Sequence, residues 1–212
     1  MGKWYLVRHA QTVWNLQGRV QGHSESSLAA EGVAEAQRVA KRLSGKALHA
    51  AYTSDLARTR ETAEIILQRR KVPVDATPEL REMSYGKWEG MTHKEIKAAY
   101  PQEYAEYLRG DIAFVPSGGE GPLQLMSRLV PLVHRLTTDH MPDEDILIVS
   151  HGGTLKGLLI LLMGLPPELF WRFTVAHGSV SVITTYPDTS VLELWNDMSH
   201  LEGPTTAEAL RR

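Results

Sequence analysis

The chain has 212 residues, of which 42% are hydrophobic and 23% charged, a composition typical of a globular protein with one large domain. Its formal net charge of −2 argues against a nucleic-acid partner, and its longest apolar run, residues 158–163, is too short to span a membrane. The absence of cysteine excludes disulfides, thiolate nucleophiles and cysteine-containing zinc sites, and it fits a cytoplasmic location.

Hydrophobic periodicity predicts strands and helices in alternation along the chain. In chain order we predict strand 4–7, loop 15–27, helix 30–43, strand 50–53, a helix capped near Ser54-Asp55 and ending near 68, strand 72–74, irregular segment 78–90, helix 92–108, a break at 116–122, helix 123–137, strand 146–149, helix 155–163 and a hairpin of strands 180–185 and 191–195. This alternation predicts an α/β fold, a three-layer αβα domain with a mostly parallel central sheet and helices on both faces. No repeat or linker divides the chain, so we expect residues 1–212 to form a single domain.

Two of the predicted buried strands end in a histidine. Residues 4–7 lead into Arg8-His9, and residues 146–149 lead into Ser150-His151. Ligands bind beyond the carboxyl ends of strands in open α/β sheets, so both imidazoles would face one crevice if these strands are neighbours. An imidazole can act there as a nucleophile or a proton carrier beside the fixed charge of Arg8.

Two further segments add an arginine and carboxylates. Arg58 lies near the start of a predicted helix, where backbone N–H groups also favour a bound anion. Glu79 and Glu82 lie in the irregular segment that follows. Arginines bind phosphate oxygens with paired hydrogen bonds, an imidazole can attack phosphorus, and a carboxylic acid can protonate the leaving oxygen. This combination favours phosphoryl transfer.

Four motifs, taken together and in this order, resemble those of the histidine phosphatase superfamily, which includes the phosphoglycerate mutases. They are Arg8-His9-Ala10-Gln11-Thr12 with Trp14-Asn15 and Gln21-Gly22, then Ser54-Asp55-Leu56 with Arg58 and Thr62-Ala63, then Leu80-Arg81-Glu82 with Gly86 and Trp88-Glu89-Gly90, and finally Ser150-His151-Gly152-Gly153. The resemblance covers nearly the whole chain.

The resemblance implies roles for nine residues. They are the nucleophile His9, the phosphoryl-binding residues Arg8, Arg58 and His151, the general acid Glu82, and the further phosphate-binding residues Asn15, Gln21, Gly22 and Gly152. The nucleophile would become phosphohistidine, and the acid would later act as a base toward water. The implied enzyme is a phosphoric monoester hydrolase that uses no metal and no cofactor and acts on small phosphorylated metabolites.

A few residues depart from the family pattern. Ala10 and Gln11 stand where the family often has Gly and Glu, which affects only fine geometry. Gly121 stands where a serine often follows Gly-Gly-Glu, and this weakens a substrate role for Glu120. Glu89 is expected to make structural hydrogen bonds in its Trp-Glu-Gly turn. The segment 83–125 is expected to cover the active site, with its aromatic residues mainly in the core.

The other histidines form no HxH or HExxH pattern, so no metal site is expected. We assign them to the surface or to packing, with His23 the one in the loop near the predicted pocket. They are His23, His49, His93, His134, His140, His177 and His200.

Three alternatives compete with this interpretation. An esterase would need a G-x-S-x-G elbow, which the chain lacks. A domain that only binds phosphorylated partners would be expected to lack His9, Glu82 or an arginine, and none is lost. A phosphoglycerate mutase is the third; mutases of this family carry an insertion between the acid and the second histidine, whereas only residues 83–150 lie there in this chain. This favours the phosphatase branch.

The substrate and the assembly stay open. Candidate substrates are broad phosphomonoesters, α-ribazole phosphate, phosphoserine and phosphoglycerate-type metabolites. We expect a small-molecule phosphomonoester as the partner, with no nucleic acid and no membrane. A homodimer is compatible with the sequence, which does not give the oligomeric state.

Overall fold

A six-stranded sheet forms the centre of the computed structural model, which describes residues 2–68, 70–141 and 143–201. Its strands are β1 (Gly2–Arg8), β2 (Leu48–Ser54), β3 (Val74–Thr77), β4 (Asp145–Ser150), β5 (Val180–Thr185) and β6 (Ser190–Asp197). They are ordered β3-β2-β4-β1-β5-β6 across the sheet. The first four in this order are parallel, whereas β5 and β6 are antiparallel to their neighbours. The predicted α/β fold with a mostly parallel sheet is confirmed.

Helices cover both faces of the sheet. They are α1 (Val13–Leu16), α2 (Ala30–Leu43), α3 (Ala57–Leu67), α4 (His93–Ala99), α5 (Pro101–Leu108), α6 (Pro122–Asp139) and α7 (Gly152–Met163), with short 3-10 helices at Pro78–Leu80, Gly86–Trp88, Pro167–Arg172 and Ser199–Leu201. No helix in the described part of the chain combines the length and the apolar character needed to cross a bilayer.

The alternation of side chains along β1 separates two cores. Tyr5 and Val7 pack on one face with residues of α2 and α3, while Trp4 and Leu6 pack on the other face with residues of α6 and α7. Successive side chains of a strand point to opposite faces, so a continuous apolar strand must be buried on both. The apolar character of residues 4–7 therefore accounts for the three layers.

The adjacency of β1 and β4 positions the two histidines. Arg8 lies opposite Ser150 in the parallel ladder, and the His9 N–H donates to the Ser150 carbonyl at 2.8 Å. His9 and His151 thus leave the sheet side by side. The condition under which both imidazoles would face one crevice, that their strands are neighbours, is therefore met.

Some predicted boundaries are wrong, for local reasons. The helix predicted at 92–108 is two helices, because Pro101 disfavours helical backbone at the preceding Tyr100, which has φ −132° and ψ 57°. The strand predicted at 72–74 begins only at Val74, since Pro73 has no N–H to donate to a ladder.

Other boundaries move at the starts of helices. The first two residues of the loop predicted at 15–27 belong to α1, which Thr12 and Asn15 cap reciprocally. Helix α3 starts after Leu56, and Ser54 instead accepts a hydrogen bond from the Leu56 N–H. Helix α7 starts at Gly152, three residues earlier than predicted. This last shift places the first turn of α7 directly after His151.

Candidate active site

A cavity of about 1180 Å³ opens at the carboxyl ends of β1 and β4. It is somewhat larger than the pockets of about 300–1,000 Å³ that hold most small ligands. All nine residues singled out from the sequence line it: Arg8, His9, Asn15, Gln21, Gly22, Arg58, Glu82, His151 and Gly152. The structure therefore brings the complete predicted set together.

His9 is buried at the base of this cavity, with one ring nitrogen engaged. Nδ1 lies 2.9 Å from the Ala10 carbonyl oxygen, and a carbonyl can only accept, so Nδ1 carries the proton of the neutral ring. Nε2 then keeps its lone pair. Burial, with the nearby charges of Arg58 and Arg8, holds the pKa of His9 well below its usual value of 6.5. The imidazole is therefore neutral and able to attack at neutral pH.

His151 lies beside His9 with the opposite arrangement of its ring nitrogens. The two ring centroids are 5.2 Å apart, and the Arg58 Nε–H donates to His151 Nδ1 at 3.3 Å. Nδ1 is thus the acceptor, and the proton of the neutral ring resides on Nε2. Burial, followed by the charge of Arg58, lowers the pKa of His151 well below 6.5. Its Nε2 is buried with no hydrogen-bond partner among the described residues, so it is a donor available to a ligand.

Arg58 is fixed by the loop that follows α1. Its Nη1 donates to the Ser24 carbonyl at 2.9 Å and its Nη2 to the Gly22 carbonyl at 2.6 Å. Its side chain is almost fully buried, and burial lowers the pKa of Arg58 to about 10. The guanidinium therefore keeps its charge at neutral pH.

Arg8 lies at the end of β1, opposite the start of α7. Its Nη1 donates to the Val175 carbonyl at 2.6 Å, while its Nε is buried without a partner among the described residues. A Cβ added at Gly152 would lie 3.5 Å from the Arg8 guanidinium carbon, so the helix backbone approaches this cation closely.

Neither Arg8 nor Arg58 forms a salt bridge within the described part of the chain. Among the described residues, no carboxylate lies within 4.0 Å of a nitrogen of Arg8 or Arg58. Burying a cation without a counter-ion costs free energy, and an anionic ligand would recover it. The base of the cavity is therefore suited to a multiply charged anion.

The carboxylate of Glu82 is held by backbone N–H groups, one of them at the start of α7. Its Oε1 accepts from the Met83 N–H at 3.0 Å and its Oε2 accepts from the Gly153 N–H at 3.0 Å. A Cβ at Gly153 would lie only 2.4 Å from Oε1, so this close approach requires glycine. The sequence showed Gly153 within a motif but gave no indication of this contact.

The backbone that carries Glu82 is fixed by Arg128 of α6, which sequence reasoning missed. The Arg128 Nη2 donates to the carbonyls of Arg81 at 2.7 Å and of Glu82 at 2.9 Å. Arg128 also pairs with Glu120 at 2.9 Å, which gives Glu120 a structural partner rather than an open position. An arginine on an amphipathic helix carries no sequence signal for such a contact.

Glu79 and Glu89 have other partners. Glu79 accepts from the Thr77 hydroxyl and does not line the cavity. Glu89 accepts from the backbone N–H groups of His23 at 3.0 Å, Ser24 at 2.9 Å and Tyr85 at 3.0 Å. These bonds tie the loop after α1 to the segment that follows Glu82. The expected structural role of Glu89 is confirmed.

Asn15, Gln21 and Gly22 also line the cavity. The Asn15 Oδ1 accepts from the Thr12 N–H at 3.0 Å, which directs its side-chain N–H groups elsewhere. The Gln21 Oε1 is buried and unpaired within the described part of the chain. Gly22 has φ +56°, and a Cβ there would lie 2.9 Å from the Tyr85 backbone nitrogen, so only glycine fits.

Two of the remaining histidines, His93 and His177, line the cavity. His93 is exposed and stacks on Tyr107 with ring centroids 6.4 Å apart, as its assignment to surface or packing predicts, whereas that assignment misses the position of His177 beside His9. The ring of His177 lies 5.6 Å from that of His9, centroid to centroid. His23 does not line the cavity, but its Nε2 lies 2.9 Å from the Glu82 carbonyl oxygen. No cluster of three metal-ligating side chains occurs in residues 2–68, 70–141 and 143–201.

Part of the segment 83–125 forms a wall of the cavity. Its lining residues are Met83, Tyr85, Trp88, Thr92, His93, Lys94 and Tyr107. Of these, Trp88 also packs against Tyr107 and against Phe114, with ring centroids 5.6 and 5.7 Å apart. These aromatic residues thus serve both the core and the cavity.

Comparison with known proteins identifies the family of this chain. The histidine phosphatase superfamily (branch 1) matches residues 4–198. The adenosylcobalamin/alpha-ribazole phosphatase of Escherichia coli (strain K12) is 32% identical over 91% of this chain and 94% of its own length. The probable phosphoglycerate mutase GpmB of Proteus mirabilis is 36% identical over 93% of this chain and 94% of its own length.

A solved structure is also similar to this chain over nearly its full length. Bacillus stearothermophilus YhfR is 33% identical, with a TM-score of 0.89 over 95% of this chain and 100% of that chain. The family match spans most of the chain, and the relatives align over nearly their full lengths. This chain is therefore an enzyme of the histidine phosphatase superfamily, branch 1.

Proposed function

We propose that the protein hydrolyses small phosphomonoesters through a phosphohistidine at His9. One observation carries this proposal: an imidazole with a free Nε2 lies beside the buried Arg58 and the partly buried Arg8, and neither arginine has a carboxylate within 4.0 Å among the described residues. A phosphoryl group supplies the missing negative charge and an electrophilic phosphorus at the same place.

In the first step, His9 Nε2 attacks phosphorus and the bond from phosphorus to the ester oxygen breaks. Glu82, carrying a proton, transfers it to the departing oxygen, and the alcohol leaves. Arg8, Arg58 and the Nε2–H of His151 stabilise the charge on the phosphoryl oxygens during the transfer. The Nδ1–H of His9 stays bonded to the Ala10 carbonyl, which supports the positive charge of the phosphorylated ring.

In the second step, water replaces the alcohol. Glu82, now a carboxylate, takes a proton from a water molecule while the oxygen of that water attacks phosphorus. The bond from phosphorus to Nε2 breaks, and its electron pair returns to His9. Inorganic phosphate leaves, and Glu82 again carries the proton needed for the next cycle.

The further assignments belong to the same proposal. Asn15, Gln21, Gly22 and Gly152 complete the phosphate-binding site, and the segment 83–125 covers it. Their position around the cavity supports these roles. We also propose a cytoplasmic location, no metal or cofactor in the reaction, and a homodimer as the assembly to test first.

The decisive experiment is detection of the covalent intermediate. Wild-type protein mixed with 32P-labelled substrate and quenched should carry a label that is stable in base and lost in acid. His9→Ala should carry none and should have lost turnover, with an unchanged circular dichroism spectrum. A label that persists in His9→Ala would remove this histidine from its role.

A phosphoglycerate mutase remains the second candidate. The relative named as a probable phosphoglycerate mutase aligns over 94% of its own length, so chain length does not separate the two activities as the sequence argument assumed. The same phosphohistidine would then be transferred to a second hydroxyl instead of water. Incubation with 2- or 3-phosphoglycerate, followed by phosphorus NMR, distinguishes isomerisation from phosphate release.

A further inference from the structure

His177 is a third imidazole at the base of the cavity that none of the proposed steps uses. It lies just before β5, and the next residue, Gly178, donates its N–H to the Arg8 carbonyl at 3.2 Å. The His177 ring lies 5.6 Å from the His9 ring, and His151 lies 5.2 Å from it. His9 is therefore in contact distance of two other imidazoles.

Three buried nitrogens at this place lack a hydrogen-bond partner among the described residues. They are Arg8 Nε, His151 Nε2 and His177 Nε2. They come from the ends of β1 and β4 and from the start of β5, and their residues all line the same cavity. A buried polar group without a partner costs about 1–3 kcal/mol, so three together indicate a shared acceptor.

We propose that His177 donates a hydrogen bond from Nε2 to an oxygen of the phosphoryl group and is a further catalytic residue of this site. This inference rests on the proposed function, because it takes the phosphoryl group as the ligand. A phosphoryl group attacked by His9 has three non-bridging oxygens, which can accept from Arg8, His151 and His177.

The ionisation of His177 fits this role. Burial, with the nearby charge of Arg8, lowers the pKa of His177 well below 6.5. The ring is therefore neutral at pH 7 and carries a single proton. Its role is that of a hydrogen-bond donor, while Arg8 and Arg58 supply the charge.

Three substitutions at this position separate donation from packing. In His177→Gln, the side-chain amide can reach the place of Nε2. In His177→Asn, the shorter amide reaches only the place of Nδ1. His177→Leu keeps an apolar volume and removes both donors. The matched control is His140→Leu, because His140 is another half-buried histidine whose partners, Tyr52 and Glu144, lie outside the cavity.

The readouts are the inhibition constant of orthovanadate, the dissociation constant of inorganic phosphate by calorimetry, and kcat and KM. We expect His177→Leu and His177→Asn to raise the inhibition constant of vanadate at least tenfold. The inhibition constant of His177→Gln should stay within about threefold of the wild-type value. His140→Leu should leave vanadate and phosphate binding unchanged. Thermal denaturation identifies any variant whose fold is damaged, and the two amide variants keep the test valid if the leucine variant fails.

Three results would overturn the inference. The first is vanadate and phosphate binding of wild-type strength in His177→Leu, and the second is an equal loss of binding in all three variants. The third is wild-type binding in His177→Asn but not in His177→Gln, which would move the donor to Nδ1. Phosphate binding needs no turnover, so these outcomes are separate from the fate of the proposed function. That function fails instead if the wild type binds phosphate but forms no phosphohistidine.

Discussion

Replacing Gly153 by alanine should remove most of the activity while leaving the fold intact. The added Cβ would lie 2.4 Å from the Glu82 Oε1 and 3.2 Å from the Met83 Cε. Ordinary contact begins at 3.4 Å, so the carboxylate oxygen must move by about 1 Å. A displacement of that size costs about 10²-fold in rate, and complete loss of a general acid costs up to about 10⁴-fold.

The same change should cost little stability. The clash falls on the end of a flexible side chain that lines an open cavity, so Glu82 can turn away from the helix. Alanine also favours the helical state over glycine by about 1 kcal/mol. We therefore expect the free energy of unfolding in urea to stay within about 1 kcal/mol of wild type.

Gly157, one turn further along α7, provides the matched control. A Cβ there would lie 2.9 Å from the Leu129 Cδ1 and 3.4 Å from the Met126 Cγ, both in the packed core. Overpacking a core costs about 1–3 kcal/mol, part of which the gain in helix propensity offsets. Gly157→Ala should lose stability and keep kcat, which is the reverse of the pattern expected for Gly153→Ala.

The assay compares kcat on glycerol phosphate and on p-nitrophenyl phosphate. The first has a poor leaving group that the proposed acid, Glu82, would protonate, and the second has a good leaving group that needs little protonation. Gly153→Ala should lose far more activity on glycerol phosphate. Wild-type kcat on glycerol phosphate, or an equal loss on both substrates, would refute the argument that this glycine positions the acid.

Three further predictions concern the acid, the absence of metal and the response to pH. Glu82→Gln should lose about 10²–10⁴-fold on alkyl phosphates but far less on p-nitrophenyl phosphate, and equal losses would move the acid elsewhere. Exhaustive EDTA treatment should leave the rate unchanged; a loss restored by Mg²⁺ or Zn²⁺ would contradict the role given to the arginines. The pKa values of His9 and His151 are lowered in the folded state, so the unfolded chain binds more protons below pH 6.5. Urea unfolding should therefore show stability falling from pH 6.5 to 5.5 by up to about 1 kcal/mol per histidine, with a smaller fall in His9→Gln.

The strands and the main helices could be predicted because their signals are local. The apolar run at residues 4–7 is explained by burial on both faces of the sheet, and the helical spacing at 30–43 gives the bounds of α2. The convergence of His9 and His151 follows from two parallel strands that end at the same edge. Pro101 is itself a signal for a helix break, but the helical spacing of the apolar residues on both sides of it favoured one continuous helix.

The support of the site could not be predicted in the same way. Arg128 holds the backbone near Glu82 from a helix more than forty residues away in sequence, as hydrogen bonds with sequence separations of 46 and 47 show. His177 reaches the cavity because β5 pairs antiparallel with β1, with Val180 opposite Val7. Neither contact follows from spacing along the chain, because each depends on the tertiary pairing of distant elements.

Glu82 is held in place differently from the two histidines. His9 and His151 are carried by strand ends whose positions the sheet fixes, whereas Glu82 is carried by irregular backbone between Leu80 and the 3-10 helix at Gly86–Trp88. Irregular backbone has no ladder to hold it, so side chains must supply the missing hydrogen bonds. Arg128 fixes the carbonyls, and the N–H of Gly153 fixes the carboxylate. The position of Glu82, the proposed acid, therefore depends on α6 and α7 as much as on its own segment, and for this reason we expect a substitution at Gly153 of α7 to impair proton transfer by Glu82.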